Sequence, residues 1–277
     1  MPYMGSKSKI VPSIAAMLPA ADNFYDLFGG GFSVSHYMIA KKSHKYKNFI
    51  YNDIISGNAE IIRKAINGEF NYDVFKPNFI SREEFFDKKD VDQYIALIWS
   101  FGNNQKSYLF SKEIEPYKKS LHDCIVFDQF DEFSSKNLGF SRWPDNIKSI
   151  NKRRLLVCQS IISSKLIKNM QQLERLQQLE GLDNIQLFNL DYKDVIINTP
   201  PEETIVYLDP PYRNTAGYIE GLNYDELDDY FRGLPYLAFM SEYQTPFNSI
   251  LEIKKVQLFN NSKVQRTYAI EKLFINQ

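Results

Sequence analysis

Cysteine and histidine are scarce in this chain of 277 residues, with two of the first (Cys124 and Cys158) and three of the second (His36, His44 and His122). Two thiols give no disulfide framework, and neither stands at a spacing that would bind zinc. A reducing compartment fits such a chain. An excess of one charge is also missing. The 33 Lys and Arg against 34 Asp and Glu leave a formal net charge of −1, so contact with a polyanion has to come from local basic patches. No apolar run approaches the ~20 residues needed to span a bilayer. The segment from Ile10 to Ala21, with Lys7 and Lys9 ahead of it, imitates a secretion signal but is interrupted by Pro12 and Pro19. No phosphate-gripping lysine motif is present, and the glycines do not follow the dinucleotide fingerprint. The length holds one large domain, or one domain with an inserted lobe.

What is there begins with the apolar run Thr204-Ile205-Val206-Tyr207-Leu208, which reads as a buried strand of a parallel sheet. It leads straight into Asp209-Pro210-Pro211-Tyr212. The carboxyl end of such a strand opens the crevice in which open α/β sheets bind ligands. Two prolines remove two backbone donors and stiffen the turn, leaving carbonyls as acceptors. An acid, carbonyl acceptors and an aromatic ring suit chemistry on the exocyclic amine of a nucleobase. The same four residues also read as an ordinary strand-ending turn.

A second element lies far upstream. Phe24-Tyr25-Asp26-Leu27-Phe28-Gly29-Gly30-Gly31-Phe32-Ser33-Val34 reads as a first strand breaking into a glycine turn, with Ser33 placed to cap a helix running through residue 42. A short strand, Asn48-Phe49-Ile50-Tyr51-Asn52-Asp53, then ends in an acid about 20 residues after the glycines, the spacing at which nucleotide-binding folds grip ribose hydroxyls. A nucleoside ligand suits this pattern better than a nucleotide.

On the Asp-Leu-Phe-Gly-Gly-Gly segment at 26 to 31, the Asn52-Asp53 pair, the Asp-Pro-Pro-Tyr at 209 to 212 and the opening Tyr3-Met4-Gly5-Ser6-Lys7, the chain resembles the Dam-like N6-adenine DNA methyltransferases of bacteria and their phages. The resemblance implies an α/β fold, a Rossmann-like S-adenosylmethionine-dependent methyltransferase sheet with an inserted target-recognition lobe. It implies S-adenosylmethionine as donor. Asp26 and the backbone at Gly29, Gly30 and Gly31 would face its methionine part, Asp53 its ribose and Asp191 its adenine, with Phe28 also among the donor-binding residues and Tyr3 and Lys7 closing the pocket. Asp191 reads equally as the cap of a following helix, and the two roles are compatible. Asp209 and the carbonyl of Pro210, stiffened by Pro211, would accept hydrogens from the adenine amino group, and Tyr212 would stack on the flipped base. Double-stranded DNA is the implied partner, and the expected protein is a cytoplasmic monomer. Phe32 departs from the family pattern, which usually has its last glycine there, and its side chain would narrow the methionine end of the pocket.

The catalytic core is expected at 1–60 and 145–277, with the target-recognition lobe at 61–144. Within the lobe, Asn103-Asn104-Gln105 reads as a polar turn whose side chains are of the kind that read base edges. Two basic patches stand out: Lys41, Lys42, Lys45 and Lys47, and Lys148, Lys152, Arg153 and Arg154. From 146 to 182 a helical pattern with Leu173, Leu176 and Leu179 suggests an amphipathic helix packed on the sheet and ended by Gly181. A helix from Tyr224 to Leu234, a strand from Tyr236 to Ser241 and a closing pair (Lys255 to Leu258, Thr267 to Ile275) complete the chain. The polar loop from Arg213 to Tyr218 would fold over the base. Three other readings stay open: a DNA-binding module without turnover, N4-cytosine methylation and RNA methylation. Methylation of a protein amide is disfavoured by Asp, where Asn would be expected, at 209.

Overall fold

The computed structural model describes residues 1–55, 57–71, 75–160, 165–179, 182–213, 222–257 and 267–277. They fall into two compact units, one of residues 6–59 and 180–277 and the other of residues 1–5 and 60–179.

The first unit carries one seven-stranded sheet. Its strands are β1 (Asn23–Asp26), β2 (Asn48–Asn52), β3 (Ile185–Phe188), β4 (Thr204–Leu208), β5 (Leu237–Glu242), β6 (Asn248–Gln257) and β7 (Thr267–Ile275). In space they run β3-β2-β1-β4-β5-β7-β6, and the first five are parallel. β7 enters antiparallel between β5 and β6. This is the Rossmann-like α/β methyltransferase sheet that the resemblance implied, with its one reversed strand. Strand order reverses between β1 and β4, so the crevice at a topological switch point opens at their carboxyl ends, where Asp26 and Asp209 stand.

Burial explains why these segments are strands. All five residues of β4 and all four of β1 are buried, as continuous apolar runs in parallel sheets are. One layer of the core joins Tyr25, Ile50, Val206, Leu208 and Met240 to Leu227 and Phe231 of the helix Tyr224–Gly233. Leu227 and Phe231 are four residues apart and share one helix face. Each contributes about 1.5–3 kcal/mol by leaving water. Asn223 caps this helix, its Oδ1 accepting from the amides of Asp225 at 3.1 Å and Glu226 at 3.3 Å.

The other unit is helical among its described residues, with an aromatic core of Trp99, Phe79, His122, Phe110 and Tyr108. Burial pushes His122 down to about 4, so it sits there as a neutral ring, with Nε2 2.8 Å from the carbonyl oxygen of Pro77. The helices Ile150–Ser160 and Lys165–Glu174, expected with the sheet, belong to this unit instead. Asn169 donates to the carbonyl of Ile98 at 3.2 Å, and Leu173 and Leu176 are buried. The leucine stripe therefore finds its apolar partner among helices. Gly181, expected to end that segment, lies outside the described residues.

Candidate active site

The Asp-Pro-Pro-Tyr motif follows β4 directly. Asp209 is half-buried, its side chain 17% exposed, and its Oδ1 lies 2.7 Å from Nζ of Lys7. Burial pushes the Asp209 carboxyl up, Lys7 pulls it back down, and Glu271 on β7 pushes it up again. Lys7 is itself buried, held above its usual range by Asp209 and Glu271 against a larger desolvation that works the other way. Its Nζ is 3.4 Å from Oε1 of Glu271 and 4.6 Å from the centroid of the Tyr212 ring. The backbone amide of Lys7 donates to Oγ of Ser33 at 3.1 Å, which anchors the amino-terminal segment beside the motif.

Tyr212 is not presented as an open platform. It is buried, its hydroxyl donates to Glu271 at 2.7 Å, and its ring meets that of Tyr243 edge-on at 4.7 Å. One of the two proline carbonyls is engaged within the protein. That of Pro211 accepts from the hydroxyl of Tyr224 at 2.9 Å, so it is not left for an outside donor. Glu242, at the end of β5, braces the loop by accepting from the amides of Arg213 at 2.9 Å and Tyr243 at 2.7 Å. Burial raises its carboxyl to about 7. Arg213 reaches Asp228 at 2.6 Å in an internal ion pair. Residues 214–218 of that loop lie outside the described residues.

The glycine turn is built on β1 and β2. The amide of Gly29 donates to the carbonyl of Asn52 at 2.8 Å, and the hydroxyl of Tyr51 donates to the carbonyl of Gly30 at 2.7 Å. A Cβ on Gly29 would lie 2.1 Å from the Tyr51 ring, so glycine is required there by a protein ring. Ser33 begins the helix Ser33–Lys42 instead of capping it. Phe32 holds the cap position in a left-handed conformation at φ 65°, with no side-chain cap bond. Phe32 thus adopts the backbone state that glycine would provide. Its ring is fully buried, edge-on to Tyr51 at 5.6 Å and His36 at 6.4 Å, and does not line the cleft described below.

Asp26 is buried at the end of β1. Its Oδ2 accepts from Oγ of Ser35 at 2.6 Å, while Oδ1 has no hydrogen-bond partner. Burial raises this carboxyl to about 7. Asp53 is tied up by the protein, with Oδ2 accepting from the Gly30 amide at 2.8 Å and Oδ1 from Ile55 at 2.8 Å and Asn58 at 3.1 Å. Asn52 stitches three strand ends together. Its Nδ2 donates to the carbonyls of Leu27 at 3.1 Å and Leu190 at 3.0 Å, and its Oδ1 accepts from the Leu190 amide at 3.0 Å.

A cleft opens where these ends meet, lined by Phe28, Ile54, Asp191, Pro211 and Glu226 among others. It brings Phe28 and Asp191 together with Pro211 of the Asp-Pro-Pro-Tyr motif. Asp191 also caps the short helix Tyr192–Asp194 by accepting from the Lys193 amide at 3.0 Å, as its second reading had it. Tyr3 falls in the other unit.

Glu271, Glu242 and the full role of Asn52 escape sequence reasoning. An acid inside a closing strand resembles a solvated edge, and the one available signal is its placement between the apolar residues Ile270 and Leu273. Of the basic patches, Lys47 is paired with Asp22 at 2.7 Å and Arg153 with Asp128 at 3.2 Å, while Arg154 is buried. The Asn103-Asn104-Gln105 segment is a turn. Oδ1 of Asn104 accepts from the amides of Lys106 and Ser107, each at 2.9 Å, and Nδ2 of Asn103 donates to Leu97 at 3.0 Å. Among the described residues no cluster of His, Cys, Asp and Glu is arranged to hold a metal ion, and no helix is long and apolar enough to cross a membrane.

A model of the D12 class N6 adenine-specific DNA methyltransferases matches residues 3–270. No curated protein matches the sequence. Among solved structures, the chain is similar to the rRNA methyltransferase aviRa from Streptomyces viridochromogenes at 8% identity, covering 99% of this chain and 87% of that one with a TM-score of 0.41. A second structure of the same enzyme gives 8% identity, coverage of 97% and 83%, and a TM-score of 0.38.

Proposed function

The chain belongs to the D12 class of N6 adenine-specific DNA methyltransferases, and from that premise we propose that it moves a methyl group from S-adenosylmethionine to N6 of an adenine flipped out of double-stranded DNA. The observation that carries this reading is the convergence, on one cleft at the sheet's switch point, of Phe28 and Asp191 with Pro211 of the motif that holds Asp209.

The residues fit the donor. The partnerless Oδ1 of Asp26 is a buried acceptor of the kind an ammonium group needs, and a cation there would favour the ionised carboxylate. Phe28, Ile54 and Leu190 offer apolar walls for a purine, and Asp191 offers an acceptor at its edge. Asp53 supports the turn that would approach the donor, through its bond to the Gly30 amide. The donor supplies an electrophilic methyl on a sulfonium sulfur.

On the substrate side, Asp209 accepts one hydrogen of the N6 amino group and the carbonyl of Pro210 accepts the other. Drawing on these hydrogens weakens the conjugation of the nitrogen with the ring and leaves its lone pair for an in-line displacement. The proton shed by N6 passes to Asp209, whose ionised form Lys7 stabilises against the cost of burial. Orientation supplies most of the rate, as it does where no strong base is present. Unstacking the base costs a few kcal/mol, which contacts inside the site would have to offset. The reading as a silent DNA-binding module rested on Phe32 crowding the donor, and the buried Phe32 ring argues against it.

The test is transfer of labelled methyl to unmethylated genomic DNA, followed by nucleoside analysis, with Asp209→Ala alongside. Label in N6-methyladenine that vanishes in the variant is expected. Label in N4-methylcytosine would change the base, and label in RNA alone would change the substrate.

A further inference from the structure

We propose that Glu271 is a positioning residue for methyl transfer, orienting the Tyr212 ring directly and setting the charge on Asp209 through Lys7; this rests on the methyltransferase reading above. Glu271 is buried on β7, where a carboxylate is costly unless it is paired. β5 ends opposite Lys272, so Glu271 stands one residue beyond, at the carboxyl edge where the motif loop leaves the sheet. Its Oε1 receives the Tyr212 hydroxyl at 2.7 Å and lies 3.4 Å from Nζ of Lys7, and the same Nζ is 2.7 Å from Asp209. One oxygen therefore touches both groups that define the base site, the ring and the cation beside the acceptor.

The geometry makes two separable demands. The hydroxyl bond helps to fix the ring of Tyr212, which follows a proline-rich turn. The shared ammonium divides one positive charge between two carboxylates. Asp209 faces Lys7 from the amino-terminal segment, Asp26 from β1, Tyr207 from β4, Glu242 from β5, Glu271 from β7 and Tyr212 from its own loop. Removing the negative charge of Glu271 leaves Lys7 to Asp209 alone, and the Asp209 carboxyl then ionises at lower pH.

The experiment compares Glu271→Ala, Glu271→Gln and Tyr212→Phe, with the double variant Tyr212→Phe/Glu271→Ala, in single-turnover methylation of adenine in duplex DNA from pH 5 to 9. Thermal melting and calorimetry of S-adenosylmethionine serve as controls. Glu271→Ala is expected to lower the transfer rate by up to about 100-fold, the size of effect a misplaced reacting group produces, with donor Kd within about threefold of wild type. Glu271→Gln, whose amide oxygen still accepts from Tyr212, loses less and moves the acid limb of the profile to lower pH. The double variant loses less than the product of the single losses, because both single changes break the same bond. If wild type methylates adenine while Glu271→Gln keeps the wild-type rate and acid limb, the proposal is wrong. Rate losses that multiply also overturn it. If wild type methylates nothing, the methyltransferase reading itself fails and this proposal falls with it.

Discussion

Nζ of Lys7 lies 2.7 Å from Oδ1 of Asp209, so an ammonium near the start of the chain stabilises the carboxylate that follows β4. Breaking a buried pair by removing one partner is costly because it strands the other charge. Lys7→Met is therefore expected to destabilise the protein by on the order of 3 kcal/mol. It should also move the acid limb of the methylation profile to higher pH, opposite to the shift expected for Glu271→Gln. Urea melts and a pH profile check the two effects.

Asp26 titrates at about 7 in the folded protein because it is buried. A carboxyl raised in this way keeps a proton that the unfolded chain releases, so stability falls as pH climbs from about 4, the ordinary value for Asp, through the folded value. Asp26→Asn removes this penalty. The variant should melt above wild type at pH 8, with the difference shrinking towards pH 5, as calorimetric scans would record. Its affinity for S-adenosylmethionine should drop, and the wild-type gain in affinity between pH 6 and 8 should flatten.

Gly29→Ala should destabilise the protein by about 1–3 kcal/mol or more, the usual cost of overpacking. The new Cβ would sit 2.1 Å from the Tyr51 ring. Adding Tyr51→Leu should recover part of the loss, although the bond from Tyr51 to the Gly30 carbonyl goes with it. Denaturant midpoints of the single and double variants test this.

Asn52→Ala leaves the carbonyls of Leu27 and Leu190 and the amide of Leu190 without the side chain that satisfies them. An orphaned buried polar group costs about 1–3 kcal/mol. Because those loops carry Phe28 and Asp191, donor Kd is expected to weaken more than the melting temperature alone suggests. Calorimetry at a temperature well below the transition separates the two.

Much of the sheet was legible because the central parallel strands β1, β2, β4 and β5 are almost wholly buried, on both faces. β3 and β4 fall on the expected residues, and the helix Ser33–Lys42 ends at the expected position. The boundary of the helical unit was not legible. A stripe such as Leu173 and Leu176 shows that a helix has an apolar face, but not whether a sheet or other helices cover it. Asp26, Phe28, Asp191 and the Asp-Pro-Pro-Tyr motif could be placed at or just after strand ends because local sequence ties them there. Glu271 was not, since its role depends on the strand order β5-β7-β6, which no local pattern states. Phe32 is a case of the opposite kind. The sequence shows a side chain where glycine is usual but not its direction, and the left-handed backbone sends the ring into the core.

The insertion of β7 between β5 and β6 has a consequence for the order of assembly. Lys7 leaves the ribosome early, Asp209 much later, and Glu271 only with the strand synthesised after every other strand of the sheet. β5 and β6 must stay apart, or separate again, until β7 arrives to fill the gap. The nascent chain can thus hold most of its sheet while Tyr212 still awaits the Glu271 acceptor.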